Sequence, residues 1–398
     1  MTQEDTTGVT SRPQEPERDL APSEGEGQPH LRQLRRGSRS EIVVAVPRKW
    51  ALANGLDAGH RVTMRSVQGG GLLIVGEASP APPASLYVMV HSGSPPEHTF
   101  RRLIGGYLGG ATKLEVSSSK QFDPEIRHIL KEFRRRTSKL EVVSEQPNSQ
   151  TMLDIERGDQ LGIPQLVRRM FQLTLDIQRE ASSSWLPRIG APARSLVDMD
   201  DEVDKVAWRV QRTLLRTLLL DPTMATMAPS AAEEVFFLMI TRSLERISDH
   251  AAKLSEEGAL MAAAAPPANV LKAITDLHRQ VLEMLEAAGN LIDNPDSHRA
   301  NEIIDTADAV HLGKAALMER FFVPKQGVHL SPRVLVPATL ILESIDRIAS
   351  YVSDIAEVAI DREAFGIITG GHHRMSIPPA NSRATTQENK RKEKVNEK

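Results

Sequence analysis

The sequence contains no cysteine. That excludes disulfides, thiolate-bound zinc or iron–sulfur sites and a cysteine nucleophile, and it leaves any metal to oxygen or nitrogen ligands. Aromatic residues make up only 4% of the chain. A largely β sandwich or barrel is therefore not expected, and the helical spacing of Leu, Ala, Glu and Arg points to aliphatic cores in a mainly α protein. Nowhere do about 18 uncharged apolar residues run together, and the polar N-terminus lacks the apolar stretch of a signal peptide. The expectation is a cytoplasmic protein that neither spans a membrane nor leaves by a standard signal. No H-E-x-x-H, no G-x-S-x-G and no nucleophile with a base nearby can be found. The run Gly105–Gly110 lacks both G-x-G-x-x-G spacing and a Walker lysine, so it reads as a helix stop following a helix. His372 and His373 sit in a polar tail, and the chain is not expected to be an enzyme.

Composition divides the 398 residues into segments. Residues 1–28 carry seven acidic side chains against two basic ones and almost nothing large and apolar. Burial there cannot offset the ordering entropy, so an acidic disordered tail is expected. Residues 375–398 are read the same way. Between them, residues 29–78 show short strand patterns over 41–46, 61–67 and 72–75, with Gly69–Gly71 as a hairpin signal. One short helix interrupts them, with Pro47 suited to its first position and Gly55 to a left-handed C′ position. A unit this small has little core of its own, which favours dimerisation. After the linker 80–83, residues 84–150 alternate strands at 86–90, 113–116 and 140–143 with helices at 99–107 and 124–137, a small α/β insert. Long amphipathic helices then run from about 161 to 362, broken at 191–192, 221–222, 265–267 and 294–295.

The helical region repeats itself. A shift of 101 residues places Asp204 on Asp305, Leu244–Ile247 on Ile345–Ile348 and His250 on Tyr351. Two separate acidic segments sharing one offset indicate two tandem bundles, 160–262 and 265–362. Asp200 and Asp204, four apart at the start of one helix, share a face, as do Glu245 and Asp249 on the next. Such paired carboxylates would attract a hard or borderline cation; alternatively they face solvent or pair with Arg242 and Arg246. In the second copy Asn301 replaces the first acid and Ser350 the last, leaving Asp305 and Asp346 as a weaker site. His250, next to Asp249, could be a further ligand or a structural side chain.

A second constellation is basic. Between positions 30 and 65, Arg32, Arg35, Arg36, Arg39, Arg48, Lys49, Arg61 and Arg65 face only Glu41 and Asp57. On a chain of net charge −3 this local excess has the character of a nucleic-acid surface, and a dimer would present it twice.

Two family resemblances rest on these residues. Arg35–Trp50 followed by Asn54–Val62 resembles the SpoVT/AbrB DNA-binding domain, with His60 where that family usually has Asp. The resemblance implies an intertwined, swapped-hairpin dimer that contacts DNA through Arg32, Arg35, Arg36, Arg39, Arg48, Lys49 and Arg61. The region 160–362 is similar to the PhoU family of phosphate-uptake regulators, whose acidic helix motifs match Asp200–Asp204, Leu244–His250 and Ile345–Tyr351. This resemblance implies two tandem three-helix bundles. It also implies divalent or trivalent metal ions (iron, zinc, manganese or magnesium) at Asp200, Asp204, Glu245 and Asp249, and communication with the ATPase of a phosphate ABC transporter. Together the two parts look like archaeal and related versions of the family in which DNA reader and sensor share one chain. The function so implied is phosphate-uptake regulation through DNA; an adaptor without DNA binding and a metal-dependent phosphohydrolase are the alternatives.

Overall fold

The secondary structure follows the two periodicities of the sequence, strands before residue 155 and long helices after it. The structure is a computed structural model; it describes residues 32–37, 41–67, 71–76, 84–137, 140–155, 161–183, 185, 193–219, 231–322 and 330–370. Both expected tails, the linker 80–83, Arg39, His372 and His373, and the breaks at 191–192 and 221–222 lie outside these residues. The chain divides into two units, Met1–Ser79 and Pro80–Lys398.

In the first unit, β1 (Arg35–Arg36) pairs antiparallel with β2 (Ile42–Val43). The strand expected over 41–46 is thus cut to two residues. Helix α1 (Arg48–Ala53) begins one residue after Pro47, which stands at the N-cap rather than the first helical position. Gly55 has φ +64°, the left-handed conformation that stops the helix without a Cβ penalty. His60, the departure from the family pattern, closes the next turn, its Nδ1 accepting the Asp57 N–H at 3.2 Å. Then β3 (Val62–Val67) and β4 (Gly71–Gly76) form an antiparallel hairpin from Val62↔Gly76 to Val67↔Gly71. Among this unit's described side chains only Leu56 is buried, while Ile42, Leu52, Met64 and Leu72 are more than half exposed.

In the second unit, β5 (Ser85–Val90), α2 (Pro96–Leu108) and β6 (Lys113–Ser118) make a parallel strand–helix–strand pair. Helix α3 (Pro124–Arg136) leads into β7 (Leu140–Gln146) and β8 (Ser149–Asp154). The sheet order is β5-β6-β8-β7. β8 was not anticipated, and the sheet extends past residue 150. Val88, Leu114, Val116 and Met152 face the two helices with Leu103, Tyr107 and Phe133 in one aliphatic and aromatic core. The glycine run 105–110 ends α2 instead of following it: Gly105 and Gly106 are helical and Gly110, φ +89°, terminates the turn.

Among the described residues six helices follow: α4 (Ile163–Ser183), α5 (Ala193–Leu219), α6 (Ala231–Ala263), α7 (Ala268–Asp293), α8 (Ser297–Phe322) and α9 (Pro332–Gly370). The first three pack as one bundle and the last three as another, and α6 lies along α9 between them. α6 and α9 run antiparallel, since Arg362 meets Glu233 near the start of α6 (Nε to Oε1, 3.0 Å) and Tyr351 meets His250 further along it, ring centroids 5.9 Å apart. His250 and Tyr351 are equivalent positions of the 101-residue repeat. The repeat is therefore a spatial one, with equivalent helices meeting between the bundles. The helices end at 370, beyond the expected 362, and α5 begins seven residues before Asp200, so the acidic run lies inside that helix rather than at its start.

The bundles also touch through α4 and α7, where a Cβ on Gly289 would overlap the buried ring of Phe171. Replacing Gly by Ala inside a helix gains up to about 1 kcal/mol of propensity. Overpacking a rigid ring costs about 1–3 kcal/mol. Gly289→Ala should therefore destabilise the protein by about 1 kcal/mol or more, read as a lower urea midpoint; an unchanged or higher midpoint would show that Phe171 has room to move.

Candidate functional site

The four candidate carboxylates of the first bundle share one face. Asp200 and Asp204 stand a turn apart on α5, and Glu245 and Asp249 a turn apart on the antiparallel α6. Their charges act on one another. Burial first, then repulsion from Asp200 and Glu245, pushes Asp204 up to about 7, against the pull of Arg136. Asp249, on the exposed rim, is pushed up to about 6 by partial desolvation and by the same two neighbours. Burial also raises Asp200, opposed by a hydrogen bond that the Ser248 hydroxyl donates to its Oδ1 at 2.9 Å.

The protein supplies partners to this face. Arg242 donates to Glu245 at 2.9 Å, the pairing expected as the alternative to a metal. From the α/β part, the basic end of α3 reaches across. Arg135 bonds the buried Asp201 at 2.6 Å, and Arg136 lies 3.4 Å from Asp201 and 3.7 Å from Asp204. Glu132 accepts from both arginines and is held down to about 2, chiefly by its bond to Arg135. Asp249 has no ion pair among the described residues; Lys253 and Arg246 act on it only through their charge. Carboxylate oxygens suit a hard cation as donors. Their arrangement does not: among the described residues no three His, Asp or Glu side chains gather so as to hold a metal ion.

The second bundle differs. Asp346 on α9 is bonded by His311 Nδ1 and by Lys314 Nζ, the latter at 3.0 Å, and Lys314 also meets Glu343 at 2.7 Å. Although burial raises Asp346, these bonds and charges leave it below its ordinary value. Asp305 is exposed and is not among the partners of Asp346. The structure does not join the two acids that the repeat aligns. His250 is no ligand to the acidic face: it packs on Tyr351, its Nδ1 is buried without a partner, and burial lowers it to about 4.

Arg135, Arg136, Lys314 and His311 were not singled out in the sequence. The charge of α3 was visible in Arg134–Arg136, but nothing local tied it to Asp201. In the first unit Arg32, Arg35, Arg36, Arg48, Lys49 and Arg61 are all exposed; Arg39 lies outside the described residues, and the side chain of Arg65 does as well.

These titrations fix a pH dependence. A carboxyl raised in the folded state holds its proton more tightly there, so its stabilising protonation is lost as pH rises through about 7 for Asp204 and about 6 for Asp249. His250 and His278, both lowered to about 4 by burial, act oppositely and give up stability as pH falls below about 6.5. Stability should crest near pH 6.5, fall as Asp204 ionises around pH 7 and level off above that. Asp204→Asn should flatten the decline above the peak in urea titrations, and an unaltered decline would remove Asp204 as its source.

The comparisons follow this division of the chain. No curated protein matches it. Among solved structures, PhoU from Pseudomonas aeruginosa is 16% identical, over 52% of this chain and 96% of that one, with a TM-score of 0.45. The phosphate transport system regulatory protein PhoU from Streptococcus pneumoniae is 14% identical, over 54% and 96%, with a TM-score of 0.40. No described helix is long and apolar enough to cross a membrane. The family described as the PhoU domain matches residues 167–258 and 274–359, one stretch in each three-helix bundle.

Proposed function

We propose that the chain is a cytoplasmic regulator of phosphate uptake and phosphate homeostasis that binds DNA through its first unit and receives the phosphate-status signal through its bundles. The observation that carries the regulatory reading is the double PhoU-domain match, falling once on each bundle. The cytoplasmic ATPase of a phosphate ABC transporter is the protein partner this reading supplies.

DNA binding is supported by the first unit's own chemistry. Arg35, Arg36, Arg48, Lys49 and Arg61 are exposed on a segment with almost no buried core. Exposed apolar side chains such as Ile42, Leu52 and Met64 then call for a second copy, as the SpoVT/AbrB resemblance implies. The chain acts as a homodimer in this reading, with two basic surfaces side by side. A gel shift with the promoter region of its own operon tests it, comparing the full chain with one starting at residue 80. Retardation by the full chain alone is the expected result; retardation by both, or by neither, overturns the assignment of DNA binding to the first unit. In the latter case the adaptor reading, in which the first unit only dimerises, takes its place.

A further inference from the structure

We propose that Asp201 and Asp204 in the first bundle and Asp346 in the second are held by the protein's own cations, which makes the first acidic face a docking surface for the α/β part rather than a metal centre. In the first bundle the cations are Arg135 and Arg136, which α3 places on Asp201 and Asp204. Glu132, one turn back on α3, clamps both guanidinium groups, so they are presented as a pair. Two further acids are turned to protein donors, Asp200 to Ser248 and Glu245 to Arg242, while Asp249 feels Lys253 and Arg246 only through their charge. In the second bundle Lys314 bridges Asp346 and Glu343 across α8 and α9, with His311 on the other oxygen of Asp346.

Both halves of the repeat thus use one device with different residues, and the offset that aligns the acids does not align the cations. Lys314 falls on Thr213 under the 101-residue shift, and α3 has no counterpart before the second bundle. Independent residues filling the same electrostatic need is the pattern expected if the need is internal neutralisation. It also explains why no three candidate ligands gather anywhere among the described residues. Like charges at this spacing repel, and on α5 Arg136 opposes that repulsion at Asp204. The first face carries a functional consequence: Arg135 and Arg136 tie the α/β part to α5 through contacts that are partly exposed, hence weakened by salt.

The test uses the full chain, stripped with a chelator and dialysed against Mn²⁺ alone, beside Arg135→Gln/Arg136→Gln and Lys314→Met. The intact chain should take up no stoichiometric Mn²⁺. Each variant, by freeing carboxylates, should bind Mn²⁺ at least about tenfold more tightly than the intact chain. Hydrogen exchange supplies a second readout: amides of α3 should lose protection in the arginine variant and in high salt, while those of α9 should not. Stoichiometric Mn²⁺ on the intact chain with the arginines in place overturns the proposal. Unchanged α3 protection in the arginine variant and in high salt overturns it too, whatever the metal content. Should the arginine variant fold poorly, the intact chain in high salt and the lysine variant still decide both halves.

Discussion

Replacing Asp154 by alanine should cost the protein about 3–5 kcal/mol, because it strands a buried arginine. Arg212 lies on α5 with its guanidinium inside the junction between sheet and bundle, and it and Asp154 are both almost fully buried. It bonds Asp154 and the carbonyl of Tyr107, donates to the carbonyl of Ala111 at 3.0 Å and stacks 4.4 Å from the Tyr107 ring. Arg216 adds a longer contact to the same carboxylate, 3.5 Å. Every partner but the Asp is neutral or an arginine, so removing Asp154 leaves the charge in low dielectric with only carbonyl dipoles around it. Asp154→Asn, which keeps an acceptor but not the charge, should cost less. Replacing both residues, Arg212→Met with Asp154→Leu, should cost far less than the two single changes summed, since the uncompensated charge goes with its partner. Urea unfolding of the intact chain, the four single variants and the double variant decides the matter. Additive effects, or a loss below about 1 kcal/mol for Asp154→Ala, would mean that the junction is held by packing alone.

The contrast between this bolt and the α3 clamp shows where sequence reading stops. Long helices, their Pro-marked breaks and the 101-residue repeat were legible because each is written in local periodicity, and Pro266–Pro267 and Asn294–Pro295 do end helices. Strand β8 was not legible: Ser149–Asp154 is mostly polar, and Gln150 is buried there as part of the sheet core through its bond to Glu145 at 3.2 Å. A central strand flanked by two others draws its stability from the ladder on both edges, which composition does not display. The acidic face was visible as spacing, four and four. Its partners were not, because Arg135 and Asp201 are 66 positions apart, and Arg212 and Asp154 are 58. Which of several basic segments meets an acidic one is set by how the α/β part sits on the bundle. Lys314 escaped notice for a related reason, since the repeat compares only what both copies keep.

Binding of the full chain to its operator should fall about a thousandfold or more between 50 and 200 mM salt, the loss expected when about six phosphates are neutralised. With only Leu56 buried among the first unit's described side chains, a single copy leaves Met64 and Leu72 in water on the β3–β4 hairpin. A second copy covering them sets two sets of Arg35, Arg36, Arg48, Lys49 and Arg61 on one surface, and six phosphate contacts need only three from each copy. Arg35→Ala should then weaken binding about equally for specific and unrelated duplexes and reduce the slope of log K against log salt by about one for each phosphate lost. Because the dimer carries the substitution twice, the expected reduction is about two. Met64→Asp tests the other half of the argument: it puts a charge where apolar surfaces must meet, so DNA affinity should collapse with the arginines untouched. Size-exclusion chromatography would distinguish a lost dimer from a misfolded chain, and tight, salt-steep binding by a monomeric Met64→Asp variant would show that one copy of the basic surface is enough.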